Sequence, residues 1–180
     1  MGEFGVKSPA MISNTPTYTN WKELNLLSAK ELRKVKGITD NAPDKLPGGN
    51  GIDEAMAILR GALNIPTGGK LDIMSPIGNV IVEEKWLAHI VEKRDAARER
   101  YANWIIPAIV NPTEIWQSPH GEGDRQETRN RFIKLFSDGK NDMLIVVSID
   151  RDNLLWNAIP MPTRSVDNQR EGILLYQSYR

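Results

Sequence analysis

The run MLIVVSI, residues 143–149, constrains the fold more than any other part of the sequence, because nearly every position in it is apolar. A strand with one face in water alternates apolar and polar residues, whereas a strand covered on both faces reads as a continuous apolar run. The run therefore predicts a central strand that is buried on both faces of a sheet.

Several other runs of strand length surround this one. The sequence continues from Lys70 with LDIM and NVIV, and from Thr113 with TEIWQ, RNRFIKLF, NLLWNAI and GILLYQSY. Turn-forming residues at 138–141 and 150–153 separate the later runs, and such short turns predict antiparallel neighbours. With helical patterns first and a meander of antiparallel strands after them, the sequence predicts the α+β class; the resemblance described below implies the same class, with N-terminal helices and then a long helix packed on a curved antiparallel sheet.

The N-terminal part predicts short helices rather than strands. Residues 12–69 form a helical N-terminal segment in this interpretation, with a boundary near Gly69 and the main domain over 70–180. Ser28 and Glu31 have the spacing of a capping box, and Asp53 is a candidate cap for a second helix over 54–63. The first residues, 1–11, lack the apolar core of a signal peptide and read as a cloning remnant.

Composition excludes several classes of protein. Lys plus Arg and Asp plus Glu both number 23 in the 180 residues, so nucleic-acid contact has to rest on a local basic patch. The chain has no cysteine, which excludes disulfides, thiolate metal sites and a cysteine nucleophile. No apolar run approaches the ~18 residues that span a bilayer, so no membrane partner is expected.

The run KWLAHIVEKRDAARERYANW, residues 85–104, predicts one long amphipathic helix. At 100° per residue its apolar side chains fall in an arc of about 140°. Arg94 and Arg98 lie inside that arc, where they either pair with acids or bind a ligand. His89, Lys93 and Arg100 cluster at its edge within about 40° and would present one cationic stripe. Helical geometry alone does not decide between a structural and a functional reading.

Three further positions are candidates on the strands and loops. Lys134 shares a strand face with Phe132 and Phe136, so it is either an edge residue or a phosphate-binding group in a cleft. Trp156 and Asn157 are predicted on opposite faces, where each is either a structural residue or a contact to a base. His120, in a loop, favours a surface residue without a role over a second acid or base.

Other motifs are absent or incomplete. PTGGKLD lacks the first glycine and the Ser or Thr of a phosphate-binding loop. Two histidines about thirty residues apart, without HExxH or cysteine, make a zinc site improbable. Neither a GxSxG elbow nor a GxGxxG fingerprint is present.

The run GNVIVEEKWLAHIVEKRDAARERYANWIIPAIVNPTEIW, followed by RNRFIKLF, LLWNAIP and REGILLY, resembles a phage-associated family of the barnase–EndoU–colicin–RelE-like (BECR) nuclease group. Such domains occur at the C-termini of Mu F-like minor head proteins and as toxin modules. The resemblance extends over residues 73–179 and leaves 12–69 uncovered. Its most specific parts are the motif HIVEKRDAARERYA and the proline turn NPTEIW.

The resemblance implies an endoribonuclease that uses neither a metal nor another cofactor. A base takes the proton of a ribose 2′-OH, which attacks the adjacent phosphate, and cations stabilise the charge that builds there. The residues that this chemistry would assign to catalysis are His89, Arg94, Arg131, Lys134 and Tyr176. Those that it would assign to substrate binding are Lys93, Arg98, Tyr101, Trp156 and Asn157. His89, Arg94 and Lys134 are expected to converge on one cleft.

Two functions follow as hypotheses. The first is a phage- or prophage-derived endoribonuclease, deployed as a toxin, with RNA such as tRNA as its substrate and an immunity protein as its partner. The second is a non-catalytic head-morphogenesis or virion module that binds nucleic acid or phage head proteins. The corresponding locations are the cytoplasm, including that of a target cell, and the virion.

Overall fold

The computed structural model describes residues 18–137 and 140–179 of the chain. The predicted cloning remnant, 1–11, lies outside the described residues, as do the first two residues of the turn predicted over 138–141. The α-helices are α1 Ala29–Lys34, α2 Ile52–Leu63, α3 Ala88–Val91, α4 Ile105–Val110 and α5 Thr163–Val166. The strands are β1 Thr19–Asn20, β2 Lys70–Ser75, β3 Gly78–Glu83, β4 Glu114–His120, β5 Glu127–Lys134, β6 Asn141–Ser148, β7 Leu154–Pro162 and β8 Glu171–Gln177.

The described strands form one sheet in the order β1-β8-β4-β5-β6-β7-β3-β2. All neighbours are antiparallel except β3 and β7, which are parallel and pair at Ile81 and Leu154. The expectation of a purely antiparallel sheet is therefore wrong at one position. The segment between β3 and β7 is long enough for such a crossover, whereas the short turns on either side of β6 enforce antiparallel pairing.

Strand β6 is buried on both faces, as the apolar run predicts. Met143, Ile145 and Val147 lie in a first core, and Leu144 and Val146 lie in a second core on the opposite face. The first core is covered by α2, the segment from Leu87 to Ile109 and the β2–β3 hairpin. The second core is covered by α1 and α5. Mixed helix and sheet content confirms the α+β class.

The described part of the N-terminal segment packs onto the sheet. Ser28 caps α1 with the predicted capping box, because its side chain accepts from the Glu31 backbone and Glu31 accepts from Ser28 in turn. Ala29 and Leu32 are buried in the second core, and Ala55 and Leu59 of α2 in the first. Residues before and after the predicted boundary near Gly69 thus pack into the same two cores. The boundary stays a prediction.

The N-terminus of α2 differs from the prediction at Asp53. The helix begins at Ile52 after Gly51, which has a φ of 137°, and no side chain caps it. Asp53 lies in the first turn instead. A carboxylate there still interacts favourably with the helix dipole, so the residue type fits although the assigned position was wrong.

The predicted long helix over 85–104 is broken. The segment contains a 3-10 turn at Glu84–Trp86, helix α3, a non-helical turn and a second 3-10 segment at Arg98–Trp104. Ala97 enters the left-handed region at a φ of 44°. The turn brings Glu99 beneath the Gly48–Gly49 backbone, where it accepts from the Gly49 amide at 2.9 Å. This tertiary contact outweighs the local helix propensity of an alanine- and arginine-rich run.

Candidate functional site

His89 lies in a cluster of aromatic and cationic side chains beside β7. Its imidazole centroid is 4.2 Å from that of the Trp156 ring and 6.0 Å from that of Trp86. The Arg151 guanidinium lies over both indoles, 4.4 Å from the Trp156 centroid and 5.4 Å from that of Trp86. We call these four residues the His89 cluster. The imidazole remains 35% exposed, so a ligand can reach it.

Two features of the backbone assemble this cluster. Helix α3 buries Ile90 and Val91 in the first core, which places His89 at the side of β7. In β7 the register shifts by one residue: Val147 pairs with Leu155, but Val146 pairs with Asn157. Such a bulge redirects side chains and is common beside active sites.

The bulge corrects the prediction that Trp156 and Asn157 lie on opposite faces. Trp156 packs against the second core, and Asn157 stands opposite Val146, which belongs to that core. Both side chains therefore lie on the second face. Strict alternation along the strand, on which the prediction depended, fails at an inserted residue.

Arg98 is held beside this cluster by Asn157. Its Nη1 donates to Asn157 Oδ1 at 3.2 Å, and the same oxygen accepts from the Ala158 amide at 2.9 Å. Burial lowers the pKa of Arg98, while the charges of Asp95 and Glu92 act in the opposite direction. Because no carboxylate forms an ion pair with it in the described structure, this guanidinium keeps its capacity to bind an anion.

Arg131 lies on the same face, two strands away. It stands opposite Val146 of β6, which in turn pairs with Asn157, so the three residues form one row across the sheet. The backbones of β5 and β7 are therefore about 10 Å apart at this row. Arg131 donates to Gln169 O at 3.4 Å and borders a cavity of about 330 Å³. Burial lowers its pKa, which Glu171 partly opposes.

Arg98 and Arg131 differ from the other buried or half-buried arginines of the described residues by their lack of an ion pair. Several buried or half-buried arginines are neutralised: Arg33 by Asp142, Arg94 by Glu99, Arg129 by Glu127 and Arg170 by Glu114. Among residues 18–137 and 140–179, neither Arg98 nor Arg131 has a carboxylate oxygen within 4.0 Å. A buried cation without a partner is costly, which favours an external anion as its ligand.

The predicted convergence of His89, Arg94 and Lys134 is not seen. Arg94 donates to both carboxylate oxygens of Glu99, at 2.9 and 2.6 Å, and to Gly49 O. This partner lowers the pKa of the buried Glu99 to about 2. Arg94 therefore holds the broken turn in place, and its guanidinium is not free to bind phosphate in this conformation.

Lys134 is also occupied inside the fold. It is 3% exposed, and its Nζ donates to Asn111 O at 2.8 Å and to Asp40 at 3.0 Å. Its strand position beside Phe132 and Phe136 was predicted correctly, since both rings lie in the first core. The lysine fastens the 40–41 loop to β5 instead of projecting into a cleft.

The remaining residues that were predicted for the site do not form one group in the structure. Tyr101 packs edge-on against Trp104 in the first core, with ring centroids 4.8 Å apart, and its hydroxyl accepts from Asn141. Tyr176 also packs against that core and makes no ring contact with the His89 cluster. Lys93 is exposed in the turn after α3. The predicted stripe of His89, Lys93 and Arg100 is interrupted by the break, and Arg100 donates to Leu46 O.

Two members of the His89 cluster were missed in the sequence. Trp86 was assigned to the packing face of the long helix, and Arg151 to a turn. The sequence DRDN did predict the turn, and Asp152 and Asn153 adopt positive φ angles of 59° and 60° there. No local pattern indicates that this turn returns Arg151 to two tryptophans.

A metal site and a membrane-spanning helix are both absent from the described residues. No group of three or more His, Cys, Asp or Glu side chains is placed to hold a metal ion among residues 18–137 and 140–179. In the same part of the chain, no helix is both long and apolar enough to cross a bilayer.

Comparison with models of known protein families shows to which family the chain belongs. Residues 65–177, more than half of the chain, match the model of the family described as phage-Barnase-EndoU-ColicinE5/D-RelE like nuclease2. The chain belongs to this BECR nuclease family. The match includes the His89 cluster, Arg98, Asn157 and Arg131, and it excludes α1 and α2. No curated protein and no solved structure matches the chain.

Proposed function

We propose that this BECR-family domain is a metal-independent endoribonuclease whose site is the His89 cluster together with Arg98 and Asn157. The observation that carries the proposal is the placement of an accessible imidazole near a half-buried guanidinium that has no carboxylate partner. An imidazole transfers protons near neutral pH, and an unpaired guanidinium binds phosphate oxygens.

In the proposed reaction His89 takes the proton of a ribose 2′-OH. The 2′-oxygen forms a bond to the neighbouring phosphorus, the bond to the 5′-oxygen breaks, and water protonates the leaving oxygen. A 2′,3′-cyclic phosphate and a 5′-hydroxyl result. Glu92 Oε1, 3.8 Å from His89 Nδ1, stabilises the imidazolium that forms.

The cations beside His89 supply the electrostatic part of catalysis. Arg98, oriented by Asn157, and Arg151, held over two indoles, bind the phosphate oxygens as charge develops on them. Arg131 contacts a more distant phosphate on the same face. Trp156 and Trp86 offer aromatic surface to unpaired bases, which favours single-stranded or looped RNA such as tRNA.

A toxin role follows from this proposal. An enzyme that cleaves cellular RNA harms the cell that makes it, so an immunity protein that covers the His89 cluster is the expected partner. The site of action is then the cytoplasm, including that of a target cell.

The second candidate function is a non-catalytic phage head or virion module that binds nucleic acid or a head protein. It is favoured by the internal pairing of Arg94 and Lys134, which leaves fewer free cations than a nuclease site was expected to have. The balanced net charge points the same way.

The discriminating experiment incubates the purified protein with total RNA and with tRNA in EDTA and maps the product ends. Fragments that end in a 2′,3′-cyclic phosphate support the enzyme. Binding without cleavage, together with free expression in the absence of any immunity partner, would support the virion module instead.

A further inference from the structure

A second, uncharged cleft lies on the first-core face of the sheet and contains no residue of the His89 cluster. It is bounded by the tip of the β2–β3 hairpin and by β4, β5, β6 and β8, and it encloses about 320 Å³. Pockets for small organic ligands have volumes of about 300–1,000 Å³. The polar lining consists of Ser75, Asn79, Gln117, Asn130 and Asn153, and no lining residue carries a charge.

Two carboxamides on neighbouring strands form the polar part of the sheet wall. Gln117 and Asn130 are directly opposite each other in the β4–β5 pair, and Gln117 Nε2 donates to Asn130 Oδ1 at 3.0 Å. This bond leaves one acceptor, Gln117 Oε1, and one donor group, Asn130 Nδ2, without a partner among the described residues.

The unused donor belongs to a side chain that is otherwise removed from water. Asn130 is 4% exposed. The Nδ2 atom itself is not one of the fully buried side-chain atoms that lack a hydrogen-bond partner among the described residues, so it is accessible from the cleft. Here Asn130 lies between apolar wall residues such as Phe132 and Val147, so its free donor faces the cleft. The cleft therefore offers a ligand a donor that the fold does not use.

We propose that this cleft binds a nucleobase. A flat heterocycle of that class fits between apolar walls, and its edge carries adjacent donors and acceptors that complement one amide donor and one amide acceptor. The absence of charged lining residues argues against phosphate, carboxylate or ammonium ligands. Asn79 and Asn153 at the hairpin side supply further hydrogen-bonding groups, whereas the Ser75 hydroxyl is used within the hairpin by Gly78 O and the Ile77 amide.

The 149–153 loop connects this cleft with the proposed cleavage site. Ile149 and Asn153 line the cleft, whereas Arg151 lies in the His89 cluster. An RNA strand that crosses this loop would place one base in the cleft and another nucleotide beside His89. Only this assignment to an RNA strand depends on the proposed ribonuclease function; the binding of a nucleobase does not.

The test uses neutral nucleosides, so that charge does not contribute to the result. Adenosine, cytidine, guanosine and uridine are titrated to millimolar concentration into the ¹⁵N-labelled protein, with the side-chain amides of Gln117 and Asn130 observed by NMR. We expect at least one nucleoside to shift both signals. Asn130→Asp keeps an oxygen that accepts from Gln117 but replaces the amide donor with a second oxygen. The variant should bind that nucleoside at least tenfold more weakly than the wild-type protein. Asn168→Asp, an exposed position, is the matched control.

A second variant keeps the test decisive if Asn130→Asp does not fold. Leu175→Trp fills the cleft from a rim position that is 38% exposed, with the equally exposed Leu24→Trp as its control. Loss of nucleoside binding in Leu175→Trp alone supports the proposal. No shift with any nucleoside, or equal binding by Leu175→Trp and wild type, would overturn it.

Experiments with RNA oligonucleotides show whether the base that the cleft binds belongs to an RNA strand or to a free nucleoside. They also test this proposal separately from the ribonuclease proposal. If the cleft serves an RNA strand, Leu175→Trp also weakens oligonucleotide binding or alters the cleavage position. If it serves a free nucleoside, oligonucleotide binding is unchanged while nucleoside binding is lost. A protein that binds nucleosides but never cleaves RNA would leave the cleft established and the enzyme refuted.

Discussion

The imidazole of His89 and the indole of Trp156 are in contact, with ring centroids 4.2 Å apart. His89 comes from a four-residue helix and Trp156 from the bulge of β7, so the contact joins two separate departures from regular structure. The Arg151 guanidinium covers the same indole. An acid–base group, an aromatic surface and a cation therefore meet at one position beside β7.

Arg151→Ala is expected to weaken binding to single-stranded RNA and to reduce its salt dependence. Each phosphate contact that is lost from a single strand lowers the slope of log K against log salt by about 0.7. The measurement is fluorescence anisotropy over a series of salt concentrations. Arg125→Ala, in the exposed Gly123–Arg125 turn, is the control. An unchanged slope in Arg151→Ala would remove this residue from the interface.

Lys134→Met is expected to lower the free energy of unfolding and to leave RNA cleavage intact in the folded protein. The substitution removes the hydrogen bonds from Lys134 to Asn111 O and to the exposed Asp40, and a net hydrogen bond is worth about 0.5–1.5 kcal/mol. Urea denaturation measures the first quantity and a cleavage assay the second. Arg131→Gln should instead reduce RNA cleavage and leave the free energy of unfolding nearly unchanged. If Lys134→Met abolished cleavage without destabilising the protein, our structural assignment of Lys134 would fail.

Glu99 should make stability depend on pH in the acidic range. Its pKa is lowered from 4.5 to about 2 in the folded protein, chiefly by the hydrogen bonds from Arg94. Between these values the unfolded chain binds a proton that the folded protein does not, so stability falls as the pH falls. At pH 7 the full contribution is present.

Glu99→Gln is the corresponding test. It should cost about 2 kcal/mol at neutral pH, because the partly exposed Arg94 loses its partner. It should also flatten the pH dependence between pH 4.5 and about 2 relative to the wild-type protein. Urea denaturation at several pH values gives both results, with the exposed Glu23→Gln as control. A Glu99→Gln curve parallel to the wild-type curve would contradict the assignment.

Strands β2 to β8 could be predicted from the sequence because burial leaves a local pattern. The continuous apolar run of β6 and the Phe132–Phe136 alternation of β5 report directly which faces are covered. The break in the predicted helix left no such pattern. It depends on the contact of Glu99 with Gly49, fifty residues earlier, and the local sequence favours a helix through this turn.

Only the residue types of the candidate site could be predicted from the sequence. His89, Arg98, Trp156 and Asn157 meet beside β7, and Arg131 lies in one row with Asn157 two strands away. Lys134 was a reasonable choice by face, but its pairing with Asp40 spans 94 residues. Likewise, the one-residue insertion that brings Trp156 and Asn157 to the same face is a property of register, which a single strand does not encode.

The most direct measurement compares RNA cleavage by the wild-type protein, His89→Ala and His120→Ala in EDTA. The two histidines receive the same change, and His120 is exposed at the end of β4 and makes none of the ring contacts of the His89 cluster. We predict discrete tRNA or total-RNA fragments with the wild-type protein and His120→Ala. Loss of the general base should lower the rate by about 10²–10⁴ in His89→Ala. Cleavage by His89→Ala at the wild-type rate, or no cleavage by the wild-type protein, would contradict the account.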